Sequence, residues 1–395
     1  MTISYMRVLF VHNYYQDHGG EDVVFHQEMT ALAETPGYEV FSLSYQNEKG
    51  WKGLWQFLWS PWNIFAAKKL REAIHRFKPD VVHFHNTQYA CGPILIRTAK
   101  KAGVPVVMSL HNFRLLCPSA TLFYNGHLFT DSVQAEFPWK AIRNRVLDHS
   151  FLKTTLTALS YWIHRRLGTW NSVDRFLVLA DFSKHLLERS SLHVSPQNIV
   201  VKPNYVEIPL PSTLPARQEH FLFVGRLSAE KGIMELLFAL KNTRFPLRIV
   251  GAGPLQEQVE EIVSATPHFS YVGALPKEAV YQELLQCKAL IVPSVCYEGG
   301  TPLTIIEGMM LHTPIIASAI GAIADAVVDG KTGYTFQPTE AGSIEHAIHQ
   351  FEKDDSASRD AITAQAAEHA KNNHGKAHIM ALLQHEYDQV CARNT

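Results

Sequence analysis

Two carboxylates bracket a glycine turn in the run CYEGGTPLTIIEGM. Gly299 and Gly300 let the backbone approach a ligand closely, because glycine carries no side chain. Glu307 stands four residues after Leu303, so on a helix the two share one face and the carboxylate can point towards a ligand. A carboxylate so placed suits a bidentate hydrogen bond to two vicinal hydroxyls, as in a ribose, and Glu298 can reach a second polyol. The alternative is a helix N-terminus whose acidic residues favour its dipole.

A helix is predicted to begin directly after these glycines. Thr301 is a good N-cap, and Pro302 is a favourable first helical residue. The free amides of Leu303 and Thr304 would then point out of the positive end of the helix. The segment therefore predicts an anion site.

A second group of charges follows a predicted strand in the run FLFVGRLSAEKG. Arg226 stands at the carboxyl end of the strand, and Lys231 at the start of the next helix, so both face the ligand crevice of an α/β sheet. A diphosphate leaving group needs such fixed cations. The alternative is ordinary surface charge, with Glu230 and Lys231 as a solvated pair.

The run LRIVGAGPL is a weaker signal. It lacks the third glycine of a dinucleotide fingerprint, which argues against a nicotinamide dehydrogenase. Gly251 and Gly253 either form a tight turn between a strand and a helix, or line a base pocket together with Val272 through backbone groups. The sequence leaves both interpretations open.

The first half of the chain offers two further candidates. In HNYYQDHGGED, Gly19 and Gly20 lie between a strand and a helix, where backbone can contact a donor phosphate or sugar; a simple turn is the alternative. The predicted strand Val104–Leu110 delivers His111 and Asn112 at its carboxyl end. A histidine there faces the crevice, although a single histidine more often packs locally.

Short apolar runs alternate with helical patterns along the chain. The strands and helices that they predict must position these residues. Nearly continuous Val, Ile, Leu and Phe is typical of parallel strands that are buried on both faces. The predicted fold class is α/β, with two Rossmann-like domains whose parallel sheets face each other across a cleft. The predicted strands are Arg7–Asn13, Tyr38–Tyr45, Val81–Asn86, Val104–His111, Phe176–Ala180, Ile199–Asn204, Phe221–Leu227, Leu247–Gly253, Tyr271–Leu275, Ala289–Ser294, Thr313–Ser318 and Gly333–Gln337.

The 395 residues are enough for two domains. We expect one α/β domain over residues 1–205, a proline-containing linker over 206–218, and a second α/β domain, which carries the predicted anion site, over 219–358. Helices over 359–395 follow, either within the second domain or crossing back to the first domain.

Composition excludes several classes of protein. A formal net charge of −1 argues against a nucleic-acid binder. The five cysteines show no CxxC pair, and the 21 histidines show no HExxH, so we expect neither a metal nor another cofactor. Since neither a signal peptide nor a membrane span is visible, we expect a cytoplasmic protein, either free or peripheral on the cytoplasmic face of the inner membrane.

Four tryptophans stand in WKGLWQFLWSPW at the spacing of one helical stripe. Pro61 is expected to interrupt a continuous helix there. With the nearby Lys52, Lys68 and Lys69, the stripe suits an anionic bilayer surface or a lipid-linked acceptor. Packing against the first sheet is the alternative, and the sequence does not separate the two.

The second half resembles the donor domain of the family-four glycosyltransferases of the GT-B fold. The resemblance rests on GRLSAEKG, VGAGPL, YVGAL, YEGGTPLTIIEG and DGKTGYTF, in the expected order. It implies that Arg226 and Lys231 meet a diphosphate, and that the amides from Gly300 to Thr304 hold phosphate and sugar. It assigns Glu298 to the transferred sugar and Glu307 to the ribose. Eight residues separate the two glutamates, against seven in the family, and the extra residue falls in the glycine turn.

The first half, with HNYYQ, GGED and HNFRLLCP, resembles members of this family that assemble bacterial polysaccharides. The resemblance implies that His111 touches the donor sugar near the reacting carbon, and that transfer retains the anomeric configuration without a metal. Because no carboxyl pair of the glycosidase type is identifiable, we hypothesise a front-face displacement in which the leaving phosphate accepts the proton of the acceptor. In that picture His111 stabilises the oxocarbenium-like state.

The implied donor is a UDP- or GDP-hexose, and the implied acceptor is a glycan or a lipid-linked oligosaccharide of cell-surface polysaccharide synthesis. A sugar-nucleotide epimerase of the same fold would need carboxylates placed to deprotonate the sugar. A non-catalytic nucleotide-binding scaffold would not need the full set of charged residues. Donor hydrolysis in the absence of acceptor separates an enzyme from a scaffold.

Overall fold

The computed structural model describes residues 5–16 and 19–393, which form two compact units. Of these residues, the first unit contains those within Met1–Leu122, Phe129–Lys202 and Ile379–Thr395. The second contains Phe123–Leu128 and Pro203–His378. No helix in the described part of the chain has the length and apolar character needed to cross a bilayer.

The first half of the chain builds a six-stranded parallel sheet in the order β2-β1-β3-β4-β7-β8, and β5 and β6 pair separately as an antiparallel hairpin. The strands are β1 (Met6–Tyr14), β2 (Tyr38–Gln46), β3 (Val81–Phe84), β4 (Val106–Leu110), β5 (Phe123–Tyr124), β6 (His127–Leu128), β7 (Arg175–Val178) and β8 (Ile199–Val201). The helices are α1 (Gly20–Ala33), α2 (Gly50–Trp59), α3 (Ile64–Phe77), α4 (Ile94–Lys101), α5 (Trp139–Asn144), α6 (Phe151–Arg166) and α7 (Asp181–Glu188). Short 3₁₀ turns span Ser60–Trp62, Trp170–Ser172 and Pro196–Asn198.

The second unit repeats this design with a parallel sheet in the order β11-β10-β9-β12-β13-β14. Its strands are β9 (Phe221–Val224), β10 (Leu247–Val250), β11 (Phe269–Gly273), β12 (Ala289–Val292), β13 (Ile315–Ser318) and β14 (Tyr334–Phe336). The remaining helices are α8 (Ile233–Leu240), α9 (Gln256–Ser264), α10 (Lys277–Gln286), α11 (Leu303–Met310), α12 (Gly321–Ala326), α13 (Ser343–Lys353), α14 (Ser356–His374) and α15 (Lys376–Ala392), with a 3₁₀ turn at Ala229–Lys231.

Every predicted strand is present, and the α/β fold class is confirmed. Most predicted strands ran two or three residues too far, because the apolar pattern continues past the last ladder hydrogen bond. The sequence also predicted that the strands are buried on both faces. This expectation is confirmed for central strands such as β1, whose Val8–Val11 are fully buried. The expectation was wrong for β2, which lies at the sheet edge and exposes much of its length, as an edge strand can.

The tryptophan segment divides into α2, a 3₁₀ turn that contains Pro61, and α3. The interruption at Pro61 is thus confirmed. The alternative that the tryptophan stripe packs against the first sheet is wrong, because all four side chains are exposed. The exposed fractions are 69% for Trp51, 53% for Trp55, 45% for Trp59 and 43% for Trp62. Phe57 is the one buried residue of α2.

Helix α15 completes the core of the first unit. Its Leu383 and Tyr387 are fully buried. Tyr387 makes a 2.7 Å hydrogen bond with Nδ1 of His83 on β3, and Glu386 pairs with Arg175 of β7 at 2.6 Å.

Candidate active site

The loops after β9 and β12 lie backbone to backbone in the second unit. Gly232 has φ of +69°, and a Cβ atom on it would stand 1.8 Å from the carbonyl oxygen of Pro293. The amide of Val295 donates to the carbonyl of Glu230 at 3.0 Å. Since β9 is the strand at which the chain order reverses, these loops flank the crevice where doubly wound sheets bind ligands.

This approach places Lys231 against Glu298. The Nζ atom of Lys231 lies 2.6 Å from Oε1 of Glu298, which also accepts a 2.9 Å hydrogen bond from the hydroxyl of Ser294. Burial acts to lower the pKa of Lys231, but Glu298, together with Cys296 and Glu230, outweighs burial and raises the pKa. Lys231 is therefore a fixed cation at neutral pH. The sequence predicted both residues for the site but not their direct ion pair.

Arg226 supplies a second cation at the end of β9. Its side chain is exposed and makes no ion pair with any residue within 5–16 or 19–393. An exposed guanidinium without a protein partner can bind an anion in bidentate geometry. The predicted pair of cations is thus present on one loop.

Helix α11 begins one residue later than predicted. Pro302 is its N-cap, with φ −52° and ψ 135°, and Leu303 is its first helical residue. The side chain of Thr301 is buried and does not cap the helix, which corrects the prediction. The amides of Leu303 and Thr304 still have no acceptor within the helix, because the first bonds run from Ile305 and later residues to Pro302.

Glu307 lies buried on the same helix. The hydroxyl of Tyr281 donates a 3.3 Å hydrogen bond to its Oε1 atom. Burial raises the pKa of Glu307, while nearby Lys277 and the Tyr281 hydrogen bond lower it less. A carboxylate that is short of donors in a buried position is suited to accept hydrogen bonds from ligand hydroxyls.

The structure explains why residues 251 and 253 are glycines. A Cβ on Gly251 would stand 1.8 Å from the oxygen of Gly225, and one on Gly253 would stand 2.4 Å from the oxygen of Leu227. The tight-turn interpretation therefore accounts for both glycines. Val272 is half-buried at the end of β11, beside Gly251, whose amide donates to Gly273.

The glycine turn of the first unit differs from these. Among the residues that the structure describes, no atom beyond the chain neighbours would lie within 4 Å of a Cβ atom on Gly19 or Gly20, so contacts with this part of the chain do not require glycine at either position. Gly19 donates its amide to the carboxylate of Asp22 at 3.0 Å, and α1 begins at Gly20. Asp17 and His18 of the same motif lie outside the described residues.

Asn112 contacts a carboxylate that the sequence did not single out. Its side-chain amide donates to Oε2 of Glu21 at 3.2 Å, and Asn86, after β3, donates to Oε1 of Glu21 at 2.9 Å. Burial, with Asp22 adjacent, raises the pKa of Glu21 to about 8. The carboxyl ends of β3 and β4 therefore hold Glu21 between two amides.

His111 is partly buried and pairs with a second histidine. Its ring stacks on that of His85, with centroids 5.2 Å apart, and its Nε2 lies 3.1 Å from Nδ1 of His85. Burial, then Lys202 and His12, lower the pKa of His111 to about 3. His111 is therefore neutral. Its position is compatible with both interpretations of the sequence, local packing and contact with a ligand.

A repeated dipeptide could have revealed the residues that sequence reasoning missed. His-Asn stands at the ends of three neighbouring strands, as His12-Asn13, His85-Asn86 and His111-Asn112. His12 makes a 2.7 Å contact with Asp22, and Asn86 donates to the carbonyl of Asn13.

A buried cluster of Glu28, His83 and His85 has the spacing of a metal site. However, the ammonium of Lys202 is bound to Glu28, and both ring nitrogens of His83 are engaged, by Tyr387 and by Ser109. A second cation would compete with Lys202, so this cluster does not fit a metal.

Comparison with known proteins identifies the class of protein that this fold and site define. A family model described as glycosyl transferases group 1 matches residues 207–369, and one described as glycosyltransferase family 4 matches residues 19–208. The chain belongs to the family-four glycosyltransferases of the GT-B fold.

Two curated relatives are similar over part of the chain. The D-rhamnosyltransferase WbpZ of Pseudomonas aeruginosa is 31% identical over 32% of this chain and 34% of its own length. The sulfoquinovosyl transferase SQD2 of Arabidopsis thaliana is 24% identical over 73% of this chain and 52% of its own length. The chain thus matches a third to a half of the length of these relatives.

Among solved structures, the Anabaena protein HepE in complex with UDP has a TM-score of 0.67 and 15% identity. The match covers 97% of this chain and 100% of that one. At this identity the likeness shows a shared fold.

Proposed function

We propose that the protein transfers a hexose from a UDP- or GDP-sugar to a glycan or lipid-linked acceptor in cell-surface polysaccharide biosynthesis. The observation that carries the proposal is the set of groups at the strand reversal of the second unit. Lys231 pairs with Glu298, Arg226 is exposed on the same loop as Lys231, and α11 with its free amides begins five residues after Glu298. HepE was solved with UDP, and WbpZ is a D-rhamnosyltransferase, which supports a nucleotide donor and sugar transfer.

The charges suggest how the reaction proceeds. Arg226 and Lys231 stabilise the diphosphate as it leaves, together with the amides of Gly300, Leu303 and Thr304. Glu307 accepts hydrogen bonds from the ribose. Glu298 leaves Lys231 or shares it while it binds hydroxyls of the transferred sugar.

The stereochemical course that we propose rests on the resemblance to the family. His111 contacts the transferred sugar, and the leaving phosphate takes the proton of the acceptor on the same face of the ring. We therefore expect retention of the anomeric configuration without a metal. Proton NMR of the sugar first released from an α-linked donor tests this; an initial β product would contradict it.

A thermal-shift screen against UDP- and GDP-sugars tests the donor site. Binding to the folded state raises stability by RT ln(1 + [L]/Kd), so the correct donor should shift the Tm most. Slow release of UDP or GDP without acceptor should follow. Binding without release under any condition would favour a non-catalytic scaffold, and the absence of any shift would contradict the donor site itself.

The exposed aromatic face of α2 and α3 supports a lipid-linked acceptor and a place on the cytoplasmic face of the inner membrane. Leu54, Leu58, Ile64 and Phe65 extend the face of the four tryptophans, and each is at least 44% exposed. Lys69 joins the aromatic side chains Trp55, Trp59 and Phe65 around a groove of about 450 Å³. Apolar surface with adjacent cations matches the chemistry of an anionic bilayer surface.

Flotation with vesicles of phosphatidylglycerol and phosphatidylethanolamine tests this surface. Wild-type protein should float, and the double variant Trp51→Ala, Trp55→Ala should float about tenfold less. Phe238→Ala removes an aromatic side chain that is 53% exposed in the second unit and serves as the matched control. Failure of the wild type to bind these vesicles would end the membrane proposal and leave the donor proposal intact.

A further inference from the structure

A buried chain of polar groups leads from the end of the first sheet to His111. Lys202 follows β8, and its ammonium pairs with Oε1 of Glu28 on α1. The second carboxylate oxygen, Oε2, lies 3.6 Å from Nε2 of His85, and Nδ1 of His85 lies 3.1 Å from Nε2 of His111. Lys202, Glu28 and His85 are buried, with at most 3% of their surface exposed.

The Glu28–His85 contact determines where the proton of His85 resides. Both Oε2 of Glu28 and Nε2 of His85 are buried and have no hydrogen-bond partner among the described residues. If Nε2 were unprotonated, two lone pairs would face each other in a medium of low dielectric constant, which is repulsive. An N–H at Nε2 instead points at a carboxylate, so that tautomer is favoured.

The proton on His85 then decides the state of His111. Burial holds the pKa of His85 well below its usual range, and His83, His111, His12 and Lys202 lower it further, so the ring is neutral. A neutral imidazole with Nε2–H has a lone pair on Nδ1 and accepts there. His111 must therefore donate from its own Nε2, which leaves the lone pair of His111 on Nδ1.

Nδ1 of His111 is the atom that remains for a ligand. No hydrogen bond joins it to any residue of the described ranges, and the side chain is only partly buried. Other titratable groups nearby are engaged elsewhere: Asp22 contacts His12, and His83 bonds to Tyr387 and Ser109. The Lys202–Glu28–His85 path is therefore the one that reaches His111.

We propose that Glu28, held by Lys202, fixes the tautomer of His85 and through it that of His111, so that His111 presents an unprotonated Nδ1 to a substrate hydroxyl. Glu28, Lys202 and His85 are positioning residues in this account. The identity of the hydroxyl, on the transferred sugar, rests on the proposed function. A lone pair near the reacting carbon also suits developing positive charge better than an N–H would.

The tautomer is measurable on the unliganded protein. We would label the full chain with ¹⁵N-histidine, record long-range ¹H–¹⁵N spectra, and assign His111 by its loss in His111→Gln. The expected result from pH 6 to pH 8 is a protonated Nε2 and an unprotonated Nδ1. A protonated Nδ1, or an imidazolium, would overturn the proposal whatever the enzyme transfers.

Glu28→Gln tests the path itself, because an amide can present either an oxygen or an NH₂ group to His85. We expect the ¹⁵N signals of His111 to change to those of a tautomer mixture. Turnover is measured with the UDP- or GDP-sugar that shifts the Tm most. In Glu28→Gln, kcat for donor turnover should fall at least about tenfold, while KM for the donor remains unchanged. Glu34→Gln, on an exposed residue just after α1, is the matched control.

The two proposals fail in different ways. Unchanged His111 signals in folded Glu28→Gln would overturn the positioning role. Absence of turnover with every nucleotide sugar, together with the expected wild-type tautomer, would instead count against the proposed function. If Glu28→Gln does not fold, the wild-type spectrum still decides the tautomer.

Discussion

At the residue scale, the proposed donor site depends most on Lys231 and Glu298, since their 2.6 Å ion pair fixes a cation beside the strand reversal. Lys231→Met should lower kcat/KM for the nucleotide sugar by about 10²- to 10³-fold, because it removes one cation that stabilises the negative charge of the leaving diphosphate. The variant should fold, since Glu298 is partly exposed and keeps its bond from Ser294.

Turnover assays and calorimetric titration with UDP and GDP would check this change. Lys353→Met, on an exposed lysine of α13, should behave as wild type. If Lys231→Met turned over the donor as fast as wild type, the proposal that the diphosphate binds at Lys231 would be wrong.

Glu307→Gln should change stability and nucleotide binding in opposite directions. Because burial raises the pKa of Glu307, the folded protein loses stability as pH rises from the ordinary glutamate range through the raised pKa. The variant lacks this loss, so at pH 8 its Tm should be higher by about 2 °C. The difference should shrink as pH falls towards the pKa of a free glutamate.

The same substitution should weaken binding of the nucleotide by about tenfold, since a neutral amide accepts weaker hydrogen bonds from a ribose than a carboxylate does. Thermal unfolding at several pH values and titration with UDP and GDP measure both effects. A nucleotide affinity equal to that of wild type would exclude Glu307 from the ribose site.

Residue types and local spacing indicated the candidate site residues, but not their long-range partners. Lys202 and Glu28 are 174 residues apart in sequence, and no local pattern marks them as a pair. The same holds for His85, whose role depends on which strands lie side by side. The threefold His-Asn repeat was available in the sequence, and its meaning needed the strand order.

At the scale of elements, Gly232 joins the 3₁₀ turn after β9 to α8 and lets that loop touch Pro293. Gly232→Ala should destabilise the protein by more than 2 kcal/mol, because it adds a clash to an unfavourable positive φ. Gly330→Ala is a close match, with φ of +67° and no atom within 4 Å of the added Cβ, and should cost about 1 kcal/mol.

Gly232→Ala should also weaken UDP and GDP binding, since it displaces the loop that carries Lys231, whereas Gly330→Ala should not. Urea unfolding and nucleotide titration of both variants give the comparison. Equal losses of stability in the two would show that the approach to Pro293 does not matter.

Strands were the elements that sequence predicted best, because buried parallel strands leave continuous apolar runs. The start of α11 was predicted within one residue. Thr301 has the chemistry of a cap, yet its side chain is buried, and Pro302 takes an extended ψ instead. Capping propensity is local, and packing of the glycine turn overrides it here.

At the scale of the whole molecule, the end of the chain stabilises the first unit through α15. Glu386→Ala should lower stability by about 3–5 kcal/mol, because it leaves Arg175, which is 4% exposed, as an unpaired buried charge. Asp388→Ala, on an exposed residue two positions later, is the control and should change little. Urea unfolding monitored by tryptophan fluorescence measures both.

Under conditions in which Glu386→Ala remains folded, its affinity for UDP and GDP should equal that of wild type, since the proposed donor groups lie in the second unit. An equal effect of both alanine variants on unfolding would contradict the role given to the buried pair. The sequence predicted helices at this end and left open which domain they join.

The central claim is that the second unit binds a nucleotide diphosphate sugar and that the protein cleaves it in transfer. The most direct measurement is release of nucleoside diphosphate from a panel of UDP- and GDP-sugars, by wild type, Lys231→Met and Lys353→Met. The account predicts release from at least one donor by wild type and Lys353→Met, with a loss of about 10²-fold or more in Lys231→Met. Release that is equal in all three proteins would contradict it.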